Sequence, residues 1–294
     1  MTGVFSARSA SASSVCSFPT VTGTEGNDVL AGTDGNDVID GGPGDDIIEA
    51  GEGVDVLCGG SGDDVLQGGP GIDLLQGGGG SDQIEGGSGR DTVTYSSSRT
   101  GVRVNLATGI ARGDGIDHIL SIESVDGTSH DDVLNGSDQR DLLDGAAGDD
   151  IVRGGGGRDV VGGGTGNDKI RGGKARDRLE FVQTYRSLRI NLQRGRAYGQ
   201  GNDVISSIEM ITGSAGDDHL IGNAAPNRID GLFGNDYIEG ARGRDFLVGE
   251  NGQDYLVGGK GRDLLIGGRD EDLCTQGEKY KGCETFPGQT ERAL

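Results

Sequence analysis

The 294-residue chain has 61 glycines, 32% hydrophobic and 4% aromatic residues, no tryptophan, and a net charge of −22 from 48 acidic and 26 basic side chains. That is too little apolar mass for an ordinary globular core, where about half of the residues are apolar and about 7% are glycine. Five prolines without a Gly-X-Y period exclude collagen, no apolar run approaches the ~20 residues of a transmembrane helix, and the acidic balance is opposite to what binding nucleic-acid phosphates requires.

Residues 1–22 form a Ser/Ala-rich head that contains Cys16. It has no apolar stretch of the length a secretory signal needs, so no export signal is visible in it. From Gly23 the period is nine: GTEGNDVLA, GTDGNDVID, GGPGDDIIE and onward, giving eight nonads over 23–94, six over 127–180 and seven over 213–275. Two 32-residue spacers, 95–126 and 181–212, separate these blocks and are copies of one another at an offset of 86. Asn105-Leu106 matches Asn191-Leu192, and Ser121-Ile122-Glu123 matches Ser207-Ile208-Glu209. The tail is 276–294, and the whole reads as one continuous repeat domain.

Position 1 of the nonad is Gly except at Ala50, position 6 is Asp except at Asn227, and position 8 is Leu, Ile or Val except at Cys274. Disorder does not hold such a register over 21 nonads; a coiled backbone does. Each nonad reads as a six-residue turn and a three-residue strand, with position 8 inward and positions 7 and 9 outward. Position-1 and position-4 glycines allow left-handed backbone and close approach.

This pattern, GGxGxDxUx with U large and apolar, resembles the repeats-in-toxin calcium-binding family. The head and tail segments CSFPTVTGTEGNDVL and DLCTQGEKYKGCE look like those of stand-alone secreted members of actinobacterial type. The resemblance implies an all-β fold, a parallel β-roll or β-helix with two nonads per 18-residue coil, and Ca²⁺ ions held between adjacent turns. The implied ligands are the position-6 carboxylates: Asp28, Asp37, Asp46, Asp55, Asp64, Asp73, Asp82 and Asp91 in the first block. Asp132, Asp141, Asp150, Asp159, Asp168 and Asp177 follow in the second, and Asp218, Asp236, Asp245, Asp254, Asp263 and Asp272 in the third.

Physical chemistry supports a cation. Stacked strands lie about 4.7–4.9 Å apart, and carboxylates ~5 Å apart repel by roughly 3 kcal/mol at an effective dielectric near 20. Each coil buries only two aliphatic side chains, worth about 1.5–3 kcal/mol each. Ca²⁺ takes six to eight hard oxygens in flexible geometry, and stacking within blocks sets a ceiling of about 15 ions, since a site needs nonads n and n+2. The first block, with 16 acidic residues and only Arg90 basic, is the most charged. Arginines at position 5, such as Arg244 and Arg262, either neutralise the carboxylates or simply face solvent.

The spacers contain the strand patterns VRVNL and LRINL, and Ile119, Ile122 and Val125 at spacing three leave wide coils or a short helix open. Wide coils are favoured, with no calcium bound there. In a solenoid with distant ends, the four cysteines pair as Cys16–Cys58 and Cys274–Cys283, capping the two ends. Two disulfides point to an oxidising, extracellular setting.

Function follows as an extracellular calcium-binding repeat protein, not an enzyme, with a structural or surface role. The alternatives are an accessory module of an exported enzyme or toxin and, more remotely, a polysaccharide-acting β-helix enzyme. Paired acids such as Asp45-Asp46 are already explained by the nonad, and His118, His130 and His219 form no metalloprotease spacing. The outward positions of the third block, including Tyr237, Phe246, Val248, Tyr255, Val257, Leu264 and Ile266, form a candidate face for an extracellular protein or polysaccharide.

Overall fold

The computed structural model describes residues 15–181 and 185–283. The first 14 residues of the head, residues 182–184 of the second spacer and residues 284–294 of the tail lie outside the described residues. Every regular element among the described residues is a β-strand, and no helix is long and apolar enough to cross a membrane. The chain forms two compact units divided between Asp159 and Val160.

In the first unit, the strands Val38–Pro43, Val56–Ser61 and Leu74–Gly79 stack in parallel, with Val38 beside Val56 and Val56 beside Leu74. Ile47–Glu49, Val65–Gly71 and Gln83–Gly89 build a second parallel ladder, with Ile47 beside Val65 and Val65 beside Gln83. Partners are 18 residues apart, so two nonads make one coil. The second unit repeats this plan: Arg228–Phe233, Phe246–Asn251 and Leu264–Arg269 stack in one ladder, and His219–Ile221, Tyr237–Glu239 and Tyr255–Val257 in the other. The short strands follow from alternation: in Ile47–Glu49 only the middle residue, Ile48, is buried. Position-8 residues of both ladders make the core, and Leu57, Leu66, Leu75, Leu247 and Leu256 are completely buried.

Two kinds of turn link these strands. The first two nonads of each block have Thr24, Thr33, Thr128, Ser137, Ser214 or Asn223 at position 2. Every later nonad has a left-handed residue there, from Gly42 (φ 92°) to Gly268 (φ 129°). This includes Leu232 (φ 82°) and Glu250 (φ 80°), which have no intrinsic preference for that region. Stacking imposes the conformation: a coil with another beneath it must bring its position-2 backbone against the carbonyl below. A methyl group on Gly60 would overlap the Gly42 carbonyl oxygen.

The spacers are neither wide coils nor helices. Ile116–Leu120 continues the second ladder in parallel beside Gln83–Gly89. Ile110–Arg112 then lies antiparallel to it, and Arg103–Asn105 antiparallel to that, before Val133–Asn135 resumes the parallel stack. The chain thus inserts a tight meander, turned at Gly109 (φ 65°), into an otherwise parallel ladder. In the other ladder Ser124–Asp126 alone bridges Thr92–Thr94 and Leu142–Asp144. Ile119, Ile122 and Val125 are all buried, so their spacing of three arises because a short turn separates two strands. The second spacer repeats the meander through Asn202–Ser206, Arg196–Tyr198 and Arg189–Asn191.

Both expected disulfides are formed, Cys16–Cys58 and Cys274–Cys283. Val21–Thr22 pairs in parallel with the strand at Val38–Pro43. In the tail Lys279–Lys281 pairs with Leu264–Arg269, adding a strand with a lysine at each end, a composition that discourages further pairing. Cys274 occupies a fully buried position 8, so its bond ties the tail directly to the core.

The turn geometry distinguishes glycines that look alike in sequence. Gly60→Ala should lower the stability of the folded protein by about 1–3 kcal/mol for the left-handed backbone, with the steric overlap added. Gly35→Ala should be near neutral, because its added methyl would meet only the Thr33 hydroxyl at 3.6 Å. Thermal unfolding of the two variants beside the parent checks this, and equal melting temperatures would contradict it.

A column of buried carboxylates as a candidate metal centre

Stacked coils align the position-6 aspartates, and all but the half-buried Asp28 are buried. They do more than line up. The backbone N–H of Asp28 donates to Oδ1 of Asp46 at 2.8 Å, that of Asp46 to Asp64 at 2.8 Å, and that of Asp64 to Asp82 at 3.0 Å. The other ladder does the same from Asp37 through Asp55 and Asp73 to Asp91, with bonds of 2.8–2.9 Å. In the second unit Asp218, Asp236, Asp254 and Asp272 form one series, and Asn227, Asp245 and Asp263 another. One oxygen of each accepting carboxylate is therefore part of the ladder.

The other oxygen divides the twenty expected ligands into groups. Oδ2 of Asp46, Asp55, Asp64, Asp73, Asp82 and Asp91, and of Asp236, Asp245, Asp254, Asp263 and Asp272, is buried without any hydrogen-bond donor. Asp150, Asp159, Asp168 and Asp177 are buried at the same place in their coils. Asp28, Asp37, Asp132, Asp141 and Asp218 differ, because position 2 of their own nonad satisfies them. Thr33 donates its N–H (2.7 Å) and its hydroxyl (2.8 Å) to Oδ2 of Asp37. Thr24, Thr128, Ser137 and Ser214 donate their N–H to Asp28, Asp132, Asp141 and Asp218 in the same way. Where position 2 turns left-handed, its N–H no longer serves the carboxylate, and the second oxygen is left bare.

Burial without a donor disfavours the charged form. It pushes Asp64, Asp73 and Asp254 up to about 6, Asp82 and Asp245 to about 7, and Asp236 to about 8, with neighbouring carboxylates adding to the effect. Asp37 moves the opposite way, held below the ordinary carboxylate value first by the Thr33 N–H and then by the Thr33 and Thr20 hydroxyls. At Asp132, Asp141 and Asp218 burial still raises the value against the donors of Thr128, Ser137 and Ser214.

The bare oxygens face carbonyls. A methyl group on Gly41 would stand 2.5 Å from Asp46 Oδ2 and 2.6 Å from the carbonyl oxygen of Gly59, one coil on. At Gly68 the corresponding atoms are Asp73 Oδ2 and the Gly86 oxygen, both at 2.6 Å, and at Gly240 they are Asp245 Oδ2 (2.6 Å) and the Gly258 oxygen (2.7 Å). Glycine at position 1 keeps this space open in these coils; Ala50, in the nonad of Asp55, is the one exception. Among the described residues no three carboxylate, imidazole or thiolate side chains converge on one point. A cation here would draw on one or two carboxylates and the turn carbonyls, the hard, all-oxygen donor set that suits Ca²⁺.

A family model described as the RTX calcium-binding nonapeptide repeat (4 copies) matches residues 22–57, 59–93, 126–161, 162–180, 212–247 and 248–275. The chain belongs to the RTX calcium-binding nonapeptide-repeat family. A comparison with curated proteins gives no match. The residues present fit the ion that the RTX repeat implies: donor-free buried carboxylate oxygens stand beside carbonyls across a cradle that a side chain would fill. The distinction between capped and bare carboxylates went unrecognised in the sequence, although its signal is there, as Thr, Ser or Asn at position 2 in the first two nonads of every block.

Third-block side chains that sequence places outward are more covered than expected. Val248 and Val257 are buried, and Tyr237, Phe246 and Tyr255 are half-buried. His219, Tyr237 and Tyr255 stack along the ladder with ring centroids 4.6 and 5.5 Å apart, and Arg228 lies over Phe246 at 4.6 Å. Large side chains one strand spacing apart cover each other. Arg262 pairs with Glu278 at 3.1 Å.

The carboxylate values set a pH dependence. A carboxyl whose folded pKa exceeds its unfolded one, as at Asp82 and Asp236, binds more protons folded than unfolded between about pH 4 and its folded pKa. Its contribution to stability is complete below about pH 4 and lost as pH rises through 6 to 8. The metal-free chain should therefore have more β-structure at pH 4 than at pH 8. The calcium midpoint should rise as pH falls from about 8 to 5, because protons compete for the same oxygens. Circular dichroism in chelator, with calcium titrations across this range, checks both signs.

Proposed function

We propose that this protein is an extracellular calcium-binding repeat protein whose folding is coupled to ions bound between stacked turns, with a structural or surface-interaction role. The donor-free buried oxygens of Asp46, Asp55, Asp64, Asp73, Asp82 and Asp91, and of the five third-block aspartates, carry this reading. Leaving one buried polar group unpaired costs about 1–3 kcal/mol, and more when it is charged. Eleven in register amount to a destabilisation that a thin core does not offset. Asp150, Asp159, Asp168 and Asp177 complete the proposed ligand set. Ca²⁺ supplies charge compensation; the chain supplies glycine turns that leave carbonyls free and a ladder that fixes one oxygen of each carboxylate.

The two disulfides support an oxidising compartment. The binding role is favoured over catalysis because the buried position-6 acids belong to the repeat's own ladder. The aromatic ladder His219–Tyr237–Tyr255 is the candidate contact face for an extracellular protein or polysaccharide.

Circular dichroism during a calcium titration tests the reading. A largely disordered signal in chelator should become β-rich at submillimolar to millimolar Ca²⁺, the range of extracellular modules. Mg²⁺ should substitute poorly, since it demands compact octahedral geometry. A full β signal in excess chelator at neutral pH would overturn the proposal.

The two turn classes yield a second comparison. Asp64→Asn should reduce the number of ions bound and raise the calcium midpoint. Asp141→Asn should leave the ion count unchanged, because its carboxylate is already bonded to Ser137. Equilibrium dialysis of both variants measures the difference, and equal losses would show that capping does not separate ligands from non-ligands.

A further inference from the structure

The calcium column does not stop where the nonads stop. The last two nonads of the first block, like those before them, donate their Asp N–H groups to a carboxylate in the next coil, but that coil belongs to the spacer. Asp82 N–H donates to Oδ1 of Asp117 at 3.2 Å, and Asp91 N–H to Oε2 of Glu123 at 3.0 Å. Asp168 with Asp203 (3.1 Å) and Asp177 with Glu209 (3.0 Å) repeat both bonds in the second unit. Asp117 and Asp203 are buried, at 6% and 0% exposure.

The spacer also continues the position-4 glycine stacking of the repeat. Gly115 stands over the Gly80 carbonyl as Gly80 stands over that of Gly62, so a methyl on either would overlap the oxygen below. Gly115-Ile116-Asp117-His118-Ile119-Leu120 is the back half of a nonad, positions 4 to 9, and Gly201-Asn202-Asp203 opens its copy. The next turn is shortened to Ser121, Ile122 and Glu123, and there the longer glutamate reaches where an aspartate would otherwise stand. At Gly86 an added methyl would overlap the Ser121 carbonyl oxygen and stand 2.8 Å from Asp91 Oδ2. Gly172 meets the Ser207 carbonyl and Asp177 in the same way. Ser121 and Ser207 are both left-handed, at φ 52°. Asp82 and Asp91 are 0% exposed, and their Oδ2 atoms have no donor.

We infer that the spacers are metal-binding: Asp117 and Glu123 close two further Ca²⁺ sites, with Asp82 and with Asp91 and the Ser121 carbonyl, and Asp203 and Glu209 do the same in the second unit. This rests on the calcium reading above and extends it to residues outside the matched repeats. It departs from the expectation that no calcium is bound in the spacers. The meander then lies beyond the sites and leaves them intact.

The probe is Ca²⁺ itself, counted on the full chain by native mass spectrometry at saturating calcium. The double variant Asp117→Asn with Glu123→Gln keeps an acceptor oxygen for both N–H bonds and should bind two fewer ions than the parent. Asp114→Asn, at an exposed neighbour, should bind the same number as the parent. A parent that binds no calcium would overturn the general reading; a parent that binds calcium while the double variant binds an equal number would overturn only the spacer sites.

A second measurement covers a variant that fails to fold. Tyr95 is buried near Asp117 and Asp82, and burial together with the Asp117 charge raises its phenol well above the ordinary value. Phe181 is buried at the equivalent place 86 residues on, so Tyr95→Phe suits the fold. Tb³⁺, a hard oxygen-seeking ion of similar size, should show tyrosine-sensitised emission in the parent that is markedly reduced in Tyr95→Phe. Unchanged emission would overturn the inference.

Discussion

One interaction organises the molecule: the hydrogen bond from a position-6 backbone N–H to a carboxylate one coil further on, as from Asp46 to Asp64. It buries a charge at every half-turn and uses only one of its oxygens. The second oxygen must then be capped from within its own turn, protonated, or met by a cation. The two turn classes, the raised carboxyl pKa values and the fit to Ca²⁺ all follow from that choice. A protein this poor in apolar residues cannot carry a column of uncompensated carboxylates on hydrophobic burial alone, since each coil contributes only a pair of aliphatic side chains such as Leu57 and Leu66.

The capped nonads have a structural logic. They occur at the first two positions of each block, where no earlier nonad lies two places before them. There the turn closes over its own carboxylate through a Thr or Ser hydroxyl and N–H, as Thr33 does for Asp37. From the third nonad onward the backbone at position 2 is forced into the left-handed region by the coil below, and the cap is lost. Leu232 and Glu250 adopt this conformation without being glycine, so here stacking overrides residue preference. Each block thus begins with turns that are satisfied without metal and continues with turns that are not.

Spacer and ends solve a different problem, that of interrupting or finishing a ladder without exposing it. The meander through Ile110–Arg112 and Arg103–Asn105 changes strand direction twice and returns the chain to the parallel register. At the tail, Lys279–Lys281 covers the last strand of its ladder while Cys274 anchors it from the core. Both devices keep backbone donors and acceptors paired where the nine-residue rule no longer applies.

By itself the sequence determined the period, the 18-residue coil, the inward position 8 and the disulfide pairing. Each is a local rule repeated in register, and a register kept over 21 nonads leaves the backbone no other way to bury its aliphatic residues. Composition alone suggested disorder; periodicity overruled it. The tertiary structure showed which aspartates keep a bare oxygen, because the Thr, Ser or Asn at position 2 that marks the capped turns acquires that meaning only once its N–H is seen on the carboxylate. It likewise decided the spacers: Asp117 and Glu123 are separated from their partners Asp82 and Asp91 by 35 and 32 residues, not 18. A meander with no nine-residue period intervenes, and contact between residues so spaced is set by how that meander folds back, which no local pattern specifies.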